Sequence, residues 1–327
     1  MANSPPELIF IHGLAKKPEP TKLREIWLWG LDSDDPKPEV FGFNNPGLNL
    51  ETKARVNQAY WADVFYTDHE TELGSYYERL ENSEQVEGIK VADREDQDDL
   101  PLPDDGNEAR AFVEVLVKRL GGEEMEVGLP VQDVSKQSPF ERVPLPTVIK
   151  KRIIKQFAVE AYYFLYGQPF TRSDGQRSPM RDTLRNRLID QIRAAKARSS
   201  RVVIVSHSMG TMIAYDCLRN VADCPVVEGL ITLGSPLGLD EVQDPLIPGR
   251  DADRAFPVRL NGPWINIYDP LDPICGFDPR LANDFLRDGE QAIVDIKEPN
   301  WGDWRHTITH YLSGPKLRHA IRDLAGI

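Results

Sequence analysis

The chain has 327 residues, 40% hydrophobic and 28% charged, with 52 acidic against 39 basic side chains and a net charge of −13. That length can bury a large core, in one domain with insertions or in two domains at most. The acidic balance argues against a nucleic-acid binder, which needs a basic surface to neutralise phosphates.

The first residues, Met1 to Pro6, have neither the basic start nor the apolar stretch of a secretion signal. Glu7 to Ile11 (ELIFI) is a β-rich run that stops at His12-Gly13. Pro20 to Leu31 carries Leu23, Ile26 and Trp27 at helical spacing. Within Val56 to Tyr66 a second strand is expected around Asp63 to Tyr66, giving the opening βαβ unit of a parallel sheet.

Regular alternation then stops. From Thr67 to Asp105 there are 14 acidic and 3 basic residues, a local net charge of −11. Such a run reads as a solvated insertion rather than an acidic docking tail. A helix is expected over Asn107 to Leu120, followed by a Pro-rich passage (Ser138 to Pro146) and by Val148 to Tyr166, rich in lysine and aromatics. There Ile153, Ile154, Phe157, Ala158, Ala161, Phe164 and Leu165 recur at helical spacing behind Lys150, Lys151, Arg152 and Lys155. One reading is an interfacial helix that meets lipid headgroups, so that peripheral membrane contact is open. The other is a cap helix whose apolar face covers a cleft. Residues 67–180 are thus expected to be an acidic and helical insertion on a core made of 1–66 and 181–327.

Alternation resumes at Thr183, with Leu184, Leu188, Ile192 and Ala195 on one helix face. Arg201 to Ser206 (RVVIVS) is a buried-strand candidate, and Met209 to Val221 an apolar helix. Strands are expected at Val226 to Leu233, Trp264 to Tyr268 and Glu290 to Ile296, and a last helix after Ser313-Gly314-Pro315. The fold class is α/β: a doubly wound, mostly parallel sheet with helices on both faces.

RVVIVS runs straight into His207-Ser208-Met209-Gly210 and then into a helix. A turn that sharp strains its apex residue and demands small neighbours two positions away, as Ser206 and Gly210 are. It lifts the Ser208 hydroxyl off the sheet, beside a helix N-terminus that favours negative charge. Ser206-His207-Ser208-Met209-Gly210 resembles the nucleophile elbow of the α/β-hydrolases, with Ser206 in place of the usual first glycine. The longer string SHSMGTMIAYDCL, Ser206 to Leu218, is similar to that of intracellular lipases and phospholipase A1-like enzymes. The resemblance covers 7–66 and 183–327 and leaves the insertion out.

It implies an α/β-hydrolase fold and a serine hydrolase cleaving a carboxylic ester, esterase- or lipase-like. Ser208 is then the nucleophile, and the acid and histidine follow it in that order. His306 and His310 fall where the base belongs, and the spacing of His306 to Tyr311-Leu312 resembles the H-x4-Y-L pattern of bacterial relatives. His306 is the candidate base and His310 the alternative; His319, in the final helix, reads as a surface or packing residue. Past the Trp264 strand, Asp272 before Pro273-Ile274 is the candidate acid and Asp269 the alternative, better suited to ordering the turn. His12-Gly13-Leu14 resembles an oxyanion loop, which gives the Leu14 and Met209 N–H groups as the oxyanion hole. Gly234 to Gly238 resembles a loop that shapes the acyl site.

No histidine set has zinc spacing and the acidic run lacks an EF-hand pattern, so neither metal nor cofactor is expected. Cys217, Cys224 and Cys275 are odd in number and without C-x-x-C spacing, which fits free thiols in the cytoplasm. No stretch is long enough to span a bilayer. The expected partner is a small-molecule or lipid ester. A thioesterase or amidase would use the same triad, and a non-catalytic hydrolase-fold binding protein is the rival of another class.

Overall fold

The computed structural model describes residues 4–71, 100–103, 107–120, 147–247, 249, 255–275, 278–302 and 304–327, side chains of 147–152 excepted. Most of the acidic run, and the Pro-rich passage at 138–146, lie outside the described residues.

Six strands form one parallel sheet: β1 (Glu7–Ile11), β2 (Arg55–Ala59), β3 (Val202–His207), β4 (Gly229–Leu233), β5 (Trp264–Tyr268) and β6 (Ile293–Lys297). Their order is β6-β5-β4-β3-β1-β2. The principal helices are α1 (Pro20–Asp32), α2 (Asn107–Leu120), α3 (Thr147–Leu165), α4 (Met180–Arg198), α5 (Met209–Asn220), α6 (Asp240–Leu246), α7 (Ile308–Ser313) and α8 (Pro315–Ala325). The class is α/β, as the alternation of strand and helix patterns leads one to expect.

Every residue of β1, β3 and β4 is buried. Strands covered on both sides have no polar face, which is why they read as unbroken apolar runs. After β1 the chain crosses to β2, and after β3 it crosses the other way to β4. Right-handed crossovers in opposite directions put the intervening helices on opposite faces. Accordingly α1 packs on α7 and α7 on α8, while α4 packs on α5 and both reach β1 and β3. Leu184, Leu188, Ile192 and Ala195 of α4 are all buried.

The reversal of strand order falls between β1 and β3, which pair with Ile11 opposite Ser206. At such a switch point the two connections diverge and leave a crevice at the carboxyl ends of the strands. His12-Gly13 and His207-Ser208 leave the sheet side by side at that place.

Three elements differ from the sequence expectation. The second strand is Arg55–Ala59; Ala62–Val64 is a 3₁₀ turn instead. This strand is an edge, pairing with β1 alone, and an edge strand can be polar: Asn57 Nδ2 donates to Glu7 Oε2 at 2.7 Å. Val64, Phe65 and Tyr66, which look like strand residues, are buried as turn packing. The fourth strand starts at Gly229, with Val227 only bridging Leu260. The last begins at Ile293, because Glu290–Gln291 folds back on Leu286–Arg287 in a two-stranded ribbon.

Helices α2 and α3 of the expected insertion pack on each other, with the Phe112 and Tyr162 rings 5.4 Å apart. Ile154, Phe157, Ala158, Ala161, Phe164 and Leu165 are at most 1% exposed. The apolar face that an interfacial helix would offer to lipid is covered by protein. Lys150, Lys151 and Arg152 have side chains outside the described residues. Among the described residues no helix is long and apolar enough to cross a membrane.

The segment from β6 to α8 carries both candidate histidines and is tied at its ends by Glu298. Its carboxylate accepts the Lys316 N–H at 2.8 Å and the Leu317 N–H at 3.3 Å, closing the N-terminus of α8. A side chain at Gly314 would collide with it, 2.1 Å from Oε2. Burial pushes the Glu298 carboxyl up from 4.5 to about 7. The folded state therefore holds a proton that the unfolded chain gives up above pH 4.5, so this group's contribution falls as pH rises from 4.5 towards 7. The loss amounts to about 3 kcal/mol at most. Urea unfolding at pH 5 and pH 7.5 should show Glu298→Gln gaining stability relative to wild type at the higher pH. The comparison must be between the two proteins, because neutral buried His12 and His207 give the opposite slope.

Candidate active site

Ser208 sits between β3 and α5 with φ 55° and ψ −129°. This left-handed conformation is one that a non-glycine residue adopts only when its surroundings compel it, at a cost of about 1–3 kcal/mol. The surroundings are visible. The Ser208 N–H is held by the Leu233 carbonyl at 3.0 Å, and its own carbonyl accepts the Thr211 hydroxyl at 2.7 Å. Ser206, the substitute for the usual glycine, is wholly buried and turns its hydroxyl to the Ile231 carbonyl at 2.9 Å.

Gly210 meets the close approach of helix to sheet. A Cβ there would lie 2.6 Å from the His12 carbonyl oxygen and 2.7 Å from that of Ile11. Alanine would gain about 1 kcal/mol of helix propensity but must push two strand carbonyls aside, an overpacking that costs about 1–3 kcal/mol or more. Gly210→Ala should therefore lower the urea midpoint in spite of its better helical propensity.

Asp272 and His306 meet directly: His306 Nδ1 lies 2.8 Å from Asp272 Oδ2. The same oxygen accepts the Tyr311 hydroxyl at 2.6 Å, and Oδ1 accepts the Ile274 N–H at 2.8 Å. Burial opposes the charge on Asp272, yet His306 and these donors outweigh it and hold the carboxyl below its ordinary value. An ionised carboxylate only accepts, so Nδ1 of His306 carries a proton, and in the neutral ring Nε2 carries the lone pair. Asp269 has other partners: the N–H groups of Leu271 at 2.9 Å and Asn300 at 2.7 Å, and Arg305 at 3.3 Å. The ring of His310 stacks on Trp301, centroids 3.8 Å apart. His319 is exposed beside Asp323.

His306 and Ser208 are fitted against the same neighbours. The His306 ring stacks on His207 at 4.5 Å, and the His207 Nε2–H donates to the His306 carbonyl at 3.0 Å. Gly234, next to the Leu233 carbonyl that holds Ser208, has φ 51°; a Cβ on it would lie 2.6 Å from Asp272 Oδ2 and 3.0 Å from His306 Nδ1. Ser208 Oγ and His306 Nε2 are both buried, and neither has a hydrogen-bond partner among the described residues. No hydrogen bond joins the two. The hydroxyl stands at the apex of the turn, but Ser208 is 0% exposed and His306 4%.

The loop after β1 is held by a sequence of bonds. The His12 ring stacks on Trp61 at 4.6 Å, and its Nε2 accepts the Trp61 N–H at 3.0 Å. Nδ1 must then carry the proton, which it donates to the Gly13 carbonyl at 2.8 Å. Burial pushes the His12 pKa down to about 3, so the ring stays neutral. In a trans peptide the C=O and the following N–H point opposite ways. Holding the Gly13 carbonyl therefore also sets the direction of the Leu14 N–H. Gly13 itself lies against the nucleophile candidate, a Cβ there falling 2.6 Å from Ser208 Cβ. Met209 opens α5, so its N–H has no carbonyl one turn back within the helix. Ser235, in the loop expected beside the acyl site, is buried and meets Thr211 Oγ1 at 2.8 Å.

Several residues of this constellation carry no local motif. Tyr311 is legible only as part of a spacing pattern, and the bonds of Trp61 to His12 and of His207 to His306 join residues far apart in sequence. Among the described residues no cluster of histidine, cysteine, aspartate and glutamate could hold a metal. The cysteines are buried and free, with burial pushing the Cys224 thiol up to about 12 and those of Cys217 and Cys275 up as well. Compared with known proteins, the chain matches no family model and no curated relative.

Proposed function

We propose that the protein is a serine hydrolase of α/β-hydrolase type that cleaves carboxylic esters through Ser208, His306 and Asp272. The observation that carries the reading is that Ser208 Oγ, on a strained turn, and His306 Nε2, on a ring bonded to Asp272, are two of several buried side-chain atoms without a hydrogen-bond partner among the described residues. Buried polar atoms without partners are uncommon in folded proteins, and what sets these two apart is their chemistry. Here one is a nucleophile on a strained turn and the other is the basic nitrogen of an imidazole whose opposite face is held by a carboxylate.

In this reading Ser208 Oγ attacks the ester carbonyl carbon as His306 Nε2 takes its proton. Asp272 keeps the imidazole in the right tautomer and stabilises the imidazolium. The carbonyl oxygen, now negative, is received by the Leu14 and Met209 N–H groups, a donor pair whose members are each worth about 3–4 kcal/mol. His306 then protonates the departing alcohol, and the acyl-enzyme is released by water through the same steps reversed. Catalytic hydrogen bonds are often long or unmade before substrate is bound. The three cysteines are buried and free, which supports a reducing compartment such as the cytoplasm.

Turnover of p-nitrophenyl esters of graded chain length tests the proposal. Hydrolysis that saturates with substrate and prefers particular acyl lengths is expected. A chain that binds such esters without releasing p-nitrophenol would be a hydrolase-fold binding protein instead.

A further inference from the structure

Along Phe157 to Leu165 of α3 every residue is buried, and one of them is charged: Glu160, 0% exposed. Its oxygens both face the Ala15 N–H, at 3.0 and 3.3 Å. Oε1 also accepts the Tyr66 hydroxyl at 2.6 Å, and that hydroxyl accepts Gln156 Nε2 at 2.6 Å. A helix from the expected insertion thus reaches the loop that follows β1 and holds it by one backbone N–H.

The place of that N–H matters. The peptide from His12 to Gly13 is held at the His12 carbonyl by Trp61 Nε1, 3.0 Å away. The next, Gly13 to Leu14, is held by the His12 ring. The third, Leu14 to Ala15, is held by Glu160. Peptides are planar, so only the φ and ψ of Leu14 lie between the second and third. With both planes anchored, the Leu14 N–H cannot swing. Ala15 moreover has φ 71°, a left-handed conformation that a non-glycine residue abandons unless it is held.

We infer that Glu160 is a positioning residue, aiming the Leu14 N–H at the developing oxyanion from the inserted helix; this rests on the hydrolase reading of the Ser208 site. Its bonds to the Ala15 N–H and the Tyr66 hydroxyl are offset by the cost of taking a carboxylate out of water, so net stability is a weak reason for its presence. Burial indeed pushes its carboxyl up to about 7.

The test is kcat and KM on p-nitrophenyl butyrate for wild type, Glu160→Leu, Glu160→Gln, Tyr66→Phe and Ser208→Ala, with the thermal midpoint of each. Removing an oxyanion donor outright costs about 100- to 1,000-fold. Loosening one should lower kcat in Glu160→Leu by about 10- to 100-fold, with KM little changed; the midpoint falls as well, because the Ala15 N–H and the Tyr66 hydroxyl lose their acceptor. Glu160→Gln retains the oxygen that accepts from Ala15 and Tyr66, and should recover most of kcat. Wild-type kcat in Glu160→Leu, with Ser208→Ala inactive, overturns this inference and leaves the hydrolase reading standing. So does a loss of kcat that Glu160→Gln does not recover. If Glu160→Leu does not fold, Tyr66→Phe decides: a reduced kcat at unchanged KM supports the inference and wild-type kcat overturns it. Wild type that neither turns over esters nor reacts with a fluorophosphonate at Ser208 removes both the reading and the inference.

Discussion

Replacing Ser208 by alanine should lower kcat for ester hydrolysis by about a million-fold, the scale seen when a serine nucleophile is removed and only binding and oxyanion stabilisation remain. The same change should leave the stability of the fold nearly untouched. Ser208 Oγ is buried without a partner, so its loss breaks no hydrogen bond among the described residues. Its backbone will still be forced to φ 55° by the Leu233 and Thr211 contacts. Alanine in that conformation is no better off than serine, and the unfolding free energy should change by less than about 1 kcal/mol in either direction. A large loss of turnover at constant stability is the signature of a group kept for chemistry. A purely structural serine would give the reverse.

The second large effect concerns the pair that His306 and Asp272 form. His306→Ala should be about as damaging as Ser208→Ala, because an unactivated hydroxyl is a poor nucleophile and the members of a triad act as one unit. Asp272→Asn should cost about 10⁴-fold. The amide can offer its N–H₂ where Oδ2 now accepts the Nδ1 proton, and the imidazole would then place its proton on Nε2, where the lone pair is needed. The neighbours separate this account from its alternatives. Asp269→Asn disturbs Asn300, Leu271 and Arg305, so it should reduce stability more than kcat. His310→Ala removes a ring stacked on Trp301 and should do likewise. Turnover that survives His306→Ala and disappears in His310→Ala would give the base to the other histidine.

Much of the fold was legible because its central strands are buried on both sides. Leu8 to Ile11 and the run from Val202 to Val205 are apolar without alternation, as strands of a covered parallel sheet are. Trp264 to Tyr268 has the same bounds in the sequence reading as in the structure. The edge strand was missed for the complementary reason. Arg55 to Ala59 shows neither an apolar run nor an alternating pattern, since its polar side chains bond sideways to β1. The aromatic residues just after it mimic a strand while packing a turn.

The candidate site divides in the same manner. The tight turn at Ser208 announces itself, because small residues flank a serine between a buried strand and an apolar helix. The Asp272–His306 contact spans 34 residues and could be expected only from the order in which such partners follow the nucleophile. Glu160 and Ala15 are 145 residues apart, and no spacing rule connects them. One signal was nevertheless present: a lone carboxylate in the otherwise uncharged run Phe157 to Leu165. Burying a charge is costly enough that its occurrence within an apolar helix face points to a specific partner.

The most direct measurement is reaction of the purified protein with a fluorophosphonate, followed by peptide mapping of the adduct. The account predicts a single phosphonylated residue, Ser208, with labelling lost in Ser208→Ala and slowed in His306→Ala. An unlabelled protein, or a label carried equally by Ser208→Ala, would contradict it.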